Sequence, residues 1–271
     1  MRATSSVLVS GLLLASVATA DVIVKMKETT DLASSKPRVS TGSMILGADR
    51  LVMRWDDAKQ EGHGSFIFRG DKELMWIVND QAKTYEQIDK AFIDQAAAQL
   101  DAARAETQAQ LDKMPAEQRA QAEEMMKKYA GAMQGAAGEM KLDYRKTTES
   151  QVIDGHRCTK YDVYQGDDLV SHAWVAPYAD LGLTLDDGAV FQKMGEFGAK
   201  LTGPFANMEK RDYIPMHEVG GVPLLSQDVE DGKVTRETRV ESVTRGSGPS
   251  SCYDVPAGYK LKPMPSMAHK K

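Results

Sequence analysis

Between Asp21 and Ile88 apolar and polar residues alternate in short runs separated by turn residues. Val22, Val24 and Met26 alternate with residues that are largely polar after Ile23, and Leu51, Met53 and Trp55 alternate with Arg50, Val52 and Arg54. Phe66 and Phe68 flank Ile67, Arg69-Gly70-Asp71-Lys72 makes a turn, and Leu74 to Val78 follows. Asn79-Asp80 turns again into a strand carrying Tyr85 and Ile88. A two-residue period between Gly, Asp and Asn turns predicts an antiparallel meander with one buried face.

The pattern changes between about Asp89 and Lys141. This stretch is rich in Ala, Gln, Glu and Met and strongly helix-forming. Ile88, Phe92, Ala96, Leu100, Ala103, Thr107 and Leu111 recur at three- or four-residue spacing, a thin stripe on one helical face. Pro115 suits the first turn of a second helix, whose stripe is Ala122, Met125, Met126, Tyr129, Met133, Ala137 and Met140. The expectation is a helical hairpin inserted between strands.

Strands resume at Tyr144–Val152, Cys158–Tyr164 and Leu169–Val175, with turns at Asp154-Gly155 and Gly166-Asp167. A short helix is predicted over Gly188–Leu201, with Val190, Met194, Phe197 and Leu201 on one face and Asp186-Asp187 at its start. Further strands are expected at Tyr213–Glu218, Pro223–Val229 and Val234–Thr244, and a last strand or edge at Tyr253–Leu261. Residues 262–271 read as a disordered tail. The pattern as a whole is α+β, mainly antiparallel β, in a single domain over residues 21–261.

The first twenty residues read as a signal peptide. Arg2 is followed by an apolar stretch from Val7 to Val17, and Ala18-Thr19-Ala20 is a small-x-small cleavage site. The stretch is shorter than the roughly 20 residues a transmembrane helix needs. Arg2 is the only charged residue in this segment, so its removal takes the net charge from −5 to −6. A mildly acidic chain without clustered Lys and Arg argues against nucleic-acid binding and against adhesion to anionic membranes. The expected product is an exported, periplasmic monomer with no stable membrane insertion. In an oxidising compartment an even cysteine count suggests a disulfide between Cys158 and Cys252. That bridge would close a loop of about 95 residues, worth about 4–5 kcal/mol at most.

Several of these runs resemble a known family. Asp49 to Trp55, Phe66-Ile67-Phe68-Arg69-Gly70-Asp71-Lys72, Trp76-Ile77-Val78-Asn79 and Lys83-Thr84-Tyr85 resemble the N-terminal meander of LolA-like periplasmic lipoprotein carriers. Gly155-His156-Arg157-Cys158-Thr159-Lys160-Tyr161, His172-Ala173-Trp174-Val175-Ala176 and Gly221-Val222-Pro223-Leu224 look closer to a branch of that superfamily of unknown function. The resemblance implies an open, curved half-barrel whose concave apolar face is covered by helices. It also implies an arginine near the first meander that helps hold the cover, and Arg50 and Arg54 fall in that neighbourhood.

No catalytic signature stands out. His63, His156, His172, His217 and His269 lack metal-site spacing, and there is no nucleophile elbow or phosphate loop. Neither a metal nor a cofactor is expected, nor enzyme activity. The methionines at 125, 126, 133 and 140 either pack on the sheet or line an adaptable apolar surface. The leading expectation is therefore a binder or carrier of an apolar ligand such as an acyl chain. Leu51, Met53, Trp55, Phe66, Phe68, Trp76 and Trp174 would line the groove, with Phe92, Met126, Met133 and Phe197 on the covering helices. The alternative is an envelope protein-interaction module that uses the helical hairpin as its docking surface.

Overall fold

A computed structural model of the chain describes residues 20–56, 64–115, 118–119, 121, 125, 142–200 and 219–264. The expected export segment up to Thr19, Met126, Met133 and Met140, the expected strand at Tyr213–Glu218, three of the histidines (His63, His217 and His269) and the tail beyond Met264 lie outside the described residues.

The chain folds onto one sheet. In order along the chain the strands are β1 (Asp21–Thr30), β2 (Arg38–Leu46), β3 (Arg50–Asp56), β4 (Gly64–Arg69), β5 (Leu74–Asn79), β6 (Thr84–Asp89), β7 (Leu142–Ile153), β8 (His156–Gln165), β9 (Asp168–Pro177), β10 (Gly221–Glu230), β11 (Lys233–Gly246) and β12 (Lys260–Leu261). Their spatial order is β12-β6-β5-β4-β3-β2-β1-β11-β10-β9-β8-β7. Every neighbouring pair is antiparallel except β12 with β6. Among the described residues the two end strands do not meet, so the sheet is open. The hairpin turns Asp154-Gly155 (φ 47° and 85°) and Asp231-Gly232 (φ 50° and 72°) place both central residues in the left-handed region, as the type I′ turn requires.

Two faces follow from the two-residue period. One face carries the main core, in which Val22, Val24, Leu46, Leu51, Phe68 and Met75 are buried together. Behind it, Val52, Ile67 and Val78 pack with Cys252 and Tyr253 from the C-terminal segment. That segment crosses the back of the sheet through a single 3₁₀ turn at Ser250–Tyr253 and ends in β12, so only Lys260–Leu261 of the expected last strand pairs.

Helix α1 (Lys90–Asp112) is capped by Asp89, whose side chain accepts the Phe92 amide at 2.9 Å. Its other end is closed by Arg119, which donates to the Leu111 and Asp112 carbonyls at 3.0 and 2.6 Å. Only Ala96 and Leu111 of α1 are buried, Phe92 and Ile93 lean on the main core, and Asp101 to Glu106 are exposed. The first turns of α1 therefore rest on the sheet and its middle does not. Helix α2 (Ala189–Gly198) is the element that covers the core, through Val190, Phe191, Met194 and Phe197.

Two expectations are corrected. Cys158 and Cys252 are free thiols, and no disulfide joins them. Cys158 belongs to the main core and Cys252 to the cluster behind the sheet, so the sheet itself separates them. Trp76 does not line the inner face. It alternates with Met75 and Ile77 and so falls on the back face, where its indole donates to the Gln87 side chain at 2.8 Å. Burial, first among several influences, pushes both thiols above the usual cysteine range. Both should therefore resist a thiol reagent at neutral pH and react only in denaturant. Recovery of an intact disulfide by mass spectrometry would overturn the assignment.

Candidate functional site

The inner face is the place to look for a binding site, because it holds the largest contiguous apolar cluster. Leu51 and Phe68 are fully buried there, and Met53, Trp55, Phe66 and Trp174 lie partly buried around them. Strand pairing explains the convergence. Leu51 sits opposite Phe68, Met53 opposite Phe66, and Trp55 opposite Gly64. The structure thus brings together most of the residues expected to line the groove, and it adds Val22, Val24, Leu46 and Val222 from strands farther along the sheet.

Around Leu51 and Phe68 this face is covered. Phe197 of α2 stacks on Phe68 with ring centroids 5.8 Å apart and planes tilted by 56°. The seam left between the sheet and the covering segment has a volume of only about 10 Å³, lined by Val22, Leu46, Tyr178, Leu183, Asp187 and Val222 among others. That is at the threshold for holding one water molecule. A ligand reaches this covered part of the face only if the segment above it moves.

Polar contacts at its rim supplement the apolar packing that holds the cover. Arg245 of β11 grips Asp187 with two hydrogen bonds of 2.9 and 2.6 Å, and it also donates to the Gly182 carbonyl at 3.2 and 3.1 Å. Asp187 closes a capping box with Thr184 around the 3₁₀ turn that leads into α2, whereas the expected capping of the helix itself is not found, its N-cap Gly188 having no side-chain cap. At the far end Lys200 pairs with Glu73 at 2.8 Å, and Lys193 reaches the Ala48 carbonyl at 3.4 Å. Arg50 takes no part in this. Its guanidinium lies 4.5 Å over the ring of Tyr253, behind the sheet. Nothing in the sequence pattern of β11 singled out Arg245; the pairing of Val22 with Arg245 across β1 and β11 is what brings it to the rim.

The Asp187 carboxyl is pulled two ways. Burial opposes its ionisation, but hydrogen bonds from Arg245 and Thr184 outweigh that and hold it below the usual aspartate range. A carboxyl lowered in the folded state stabilises it above the unfolded pKa of about 3.9, and that contribution is lost as pH falls through the lower folded value. An acid titration should therefore loosen the cover below about pH 4, read as faster amide exchange over α2. Asp187→Asn should flatten that dependence. An unchanged profile in the variant would exclude Asp187 as its source. Burial, and secondarily the Asp187 carboxylate, pushes the neighbouring Tyr178 hydroxyl up to about 12.

Two other features lie off this face or at its end. A cavity of about 280 Å³ opens between α1 and the C-terminal segment, lined by Gln87, Phe92, Ala96, Gln99, Lys262 and Met264 among others. Phe92 is the one predicted lining residue it contains. Lys262–Met264, the start of the expected tail, is placed here, with the Lys262 amide bonded to the Tyr85 carbonyl at 2.8 Å. On β8 and β9, His172 lies 2.7 Å from Asp162, and Lys160 lies between Asp162 and Glu149. These are neighbouring cross-strand positions, and the arrangement is that of a sheet ion-pair ladder. Among the described residues no three His, Cys, Asp or Glu side chains gather as a metal site, and no helix is long and apolar enough to cross a membrane.

No protein-family model matches the chain. No curated protein matches it in sequence either. Several solved structures do match in shape. An uncharacterized conserved protein from Thermus thermophilus is 6% identical, with a TM-score of 0.44 over 91% of each chain. A LolA superfamily protein, NE2245 from Nitrosomonas europaea, is 7% identical, with a TM-score of 0.33 over 87% of this chain and 90% of that one. MucB, solved in complex with MucA(peri), is 10% identical, with a TM-score of 0.37 over 88% of this chain and 55% of that one. LolA superfamily proteins are thus among the structural neighbours. Likenesses this distant assign no family, and no property of these proteins is carried over.

Proposed function

We propose that the protein is a periplasmic, non-catalytic carrier that holds an apolar ligand, such as an acyl chain, between the inner face of its sheet and the segment from Tyr178 to Lys200. The observation that carries this reading is the way the core is closed. An open sheet presents a continuous apolar face, and one helical segment, polar at its rim, covers the part around Leu51 and Phe68.

The energetics set the size of the ligand. Val190, Phe191, Met194 and Phe197 seal the face, and each buried side chain is worth about 1.5–3 kcal/mol. Lifting them all costs roughly 6–12 kcal/mol. A chain returns about 0.8 kcal/mol per methylene, so roughly 8–15 methylenes are needed to replace what the cover gives up. A long single acyl chain meets that requirement and a short metabolite does not. The docking-module alternative gains no support from α1, whose exposed middle carries Asp, Arg, Glu and Ala rather than an apolar stripe.

Two measurements test the reading. Native mass spectrometry of protein purified from its own envelope should show a co-purifying lipid. Delipidated protein should also bind parinaric acid, a fluorescent polyene fatty acid, saturably. Absence of both excludes the carrier role.

A further inference from the structure

The rim of the covering segment carries the one bidentate arginine–carboxylate pair that joins the cover to the sheet among the described residues, and it stands at the mouth of the apolar seam. Val22 lines that seam and pairs directly across β1 and β11 with Arg245, so the arginine leaves the sheet beside the seam. Asp187 and Gly188, where the cover turns into α2, line the same seam. Arg245 thus presents a fixed fork of donors where an apolar chain inserted under the cover would end.

We infer that Arg245 reads the headgroup of the ligand, and that the carrier selects single-chain amphiphiles with an acidic head over neutral ones. The inference rests on the carrier reading above and names the ligand class for that site. In the closed state the Asp187 carboxylate occupies the guanidinium fork at 2.9 and 2.6 Å. A ligand carboxylate or phosphate has the same planar or branched array of acceptors and can take that place one for one. Asp187, only 13% exposed in the closed cover, regains water when the cover lifts. A neutral head leaves a choice between two losses. Either Asp187 keeps Arg245 and the cover stays shut, or the guanidinium gives up a charge-assisted partner without replacement.

The experiment compares parinaric acid with its methyl ester on delipidated, full-length mature protein by fluorescence titration. The acid should bind at least about tenfold more tightly than the ester, equivalent to about 1.4 kcal/mol. Arg245→Gln should bring the ratio close to one, chiefly by relieving the ester of the pair it must otherwise break. Asp187→Asn, which removes the competing carboxylate, should tighten both ligands while keeping the preference for the acid, so it serves also if the arginine variant does not fold. Displacement by an oleoyl lysophosphatidate as well as by oleate would show that phosphate and carboxylate heads share the fork; displacement by oleate alone would restrict it to carboxylates, and both results support an acidic head. Equal binding of acid and ester by the unaltered protein overturns the headgroup role of Arg245 and leaves the carrier reading standing. Binding of neither overturns both.

Discussion

Phe68→Ala should destabilise the protein by about 3–5 kcal/mol, the range for deleting a fully buried aromatic side chain. Phe68 has no exposed surface, faces Leu51 and Met75 across β3 and β5, and meets the ring of Phe197 from above. Truncation removes the transfer free energy of the ring and leaves a void between the sheet and α2 that neither rigid neighbour can fill. Set against a typical total of about 5–15 kcal/mol, this is a large fraction of the stability. Urea unfolding should show a lower midpoint at an unchanged slope. Phe68→Leu, which keeps most of the volume, should cost less than half as much. Phe66→Ala, two residues earlier on the same face but only partly buried, should also cost less. A loss below about 1 kcal/mol for Phe68→Ala would mean that the contact with Phe197 does not seal the face, and it would remove the energetic threshold argued for the ligand.

Much of this architecture was legible from periodicity. The alternations around Leu51, Phe66 and Phe68 place those side chains on one face, as found, and Asp154-Gly155 and Gly166-Asp167 mark two turns correctly. The short helix with Val190, Met194 and Phe197 inward was expected within a few residues of its observed limits. Strand β2 was not specified, because Arg38-Val39-Ser40-Thr41-Gly42-Ser43 is almost wholly polar and becomes apolar only at Met44. Its outer half is held as a strand by pairing with β1 and β3 rather than by its own burial.

The misplacements have related causes. Trp76 belongs to a run, Leu74 to Val78, that is apolar on both sides, so composition alone gives no face. The reason it is apolar on both sides is that the C-terminal segment covers the back of β3 to β5, a long-range contact with no local signal. The same contact holds Cys252 away from Cys158. Arg245 was missed for the opposite reason. It lies in a loop-like Gly, Ser and Pro context, and its role depends on Asp187, 58 residues earlier in the chain. Periodicity locates faces, and only the fold decides what meets them.

That back-face contact carries the second large effect. Arg69→Met should cost about 2–4 kcal/mol and free the C-terminal segment from the sheet. The Arg69 side chain, 9% exposed at the end of β4, donates to both oxygens of Asp71 at 2.7 and 2.6 Å. It also reaches Asp254 at 2.6 Å and the Tyr253 carbonyl at 3.3 Å. The hydrogen bond from Arg69 is the main reason that the Asp71 carboxyl lies below its usual range, so at neutral pH both groups are charged. Asp71 and Asp254 are 34% and 52% exposed, so they regain water when the guanidinium is removed. The cost therefore falls below that of breaking a fully buried pair. Arg69→Lys should not restore it, because one ammonium cannot span three acceptor groups in this fork. The cysteines supply the readout, since Cys252 precedes Tyr253 in the same segment while Cys158 sits in the main core. Native alkylation of the Arg69→Met protein should label Cys252 and spare Cys158. Labelling of both would indicate general unfolding, and labelling of neither would show that Tyr253 and its neighbours hold the segment without Arg69.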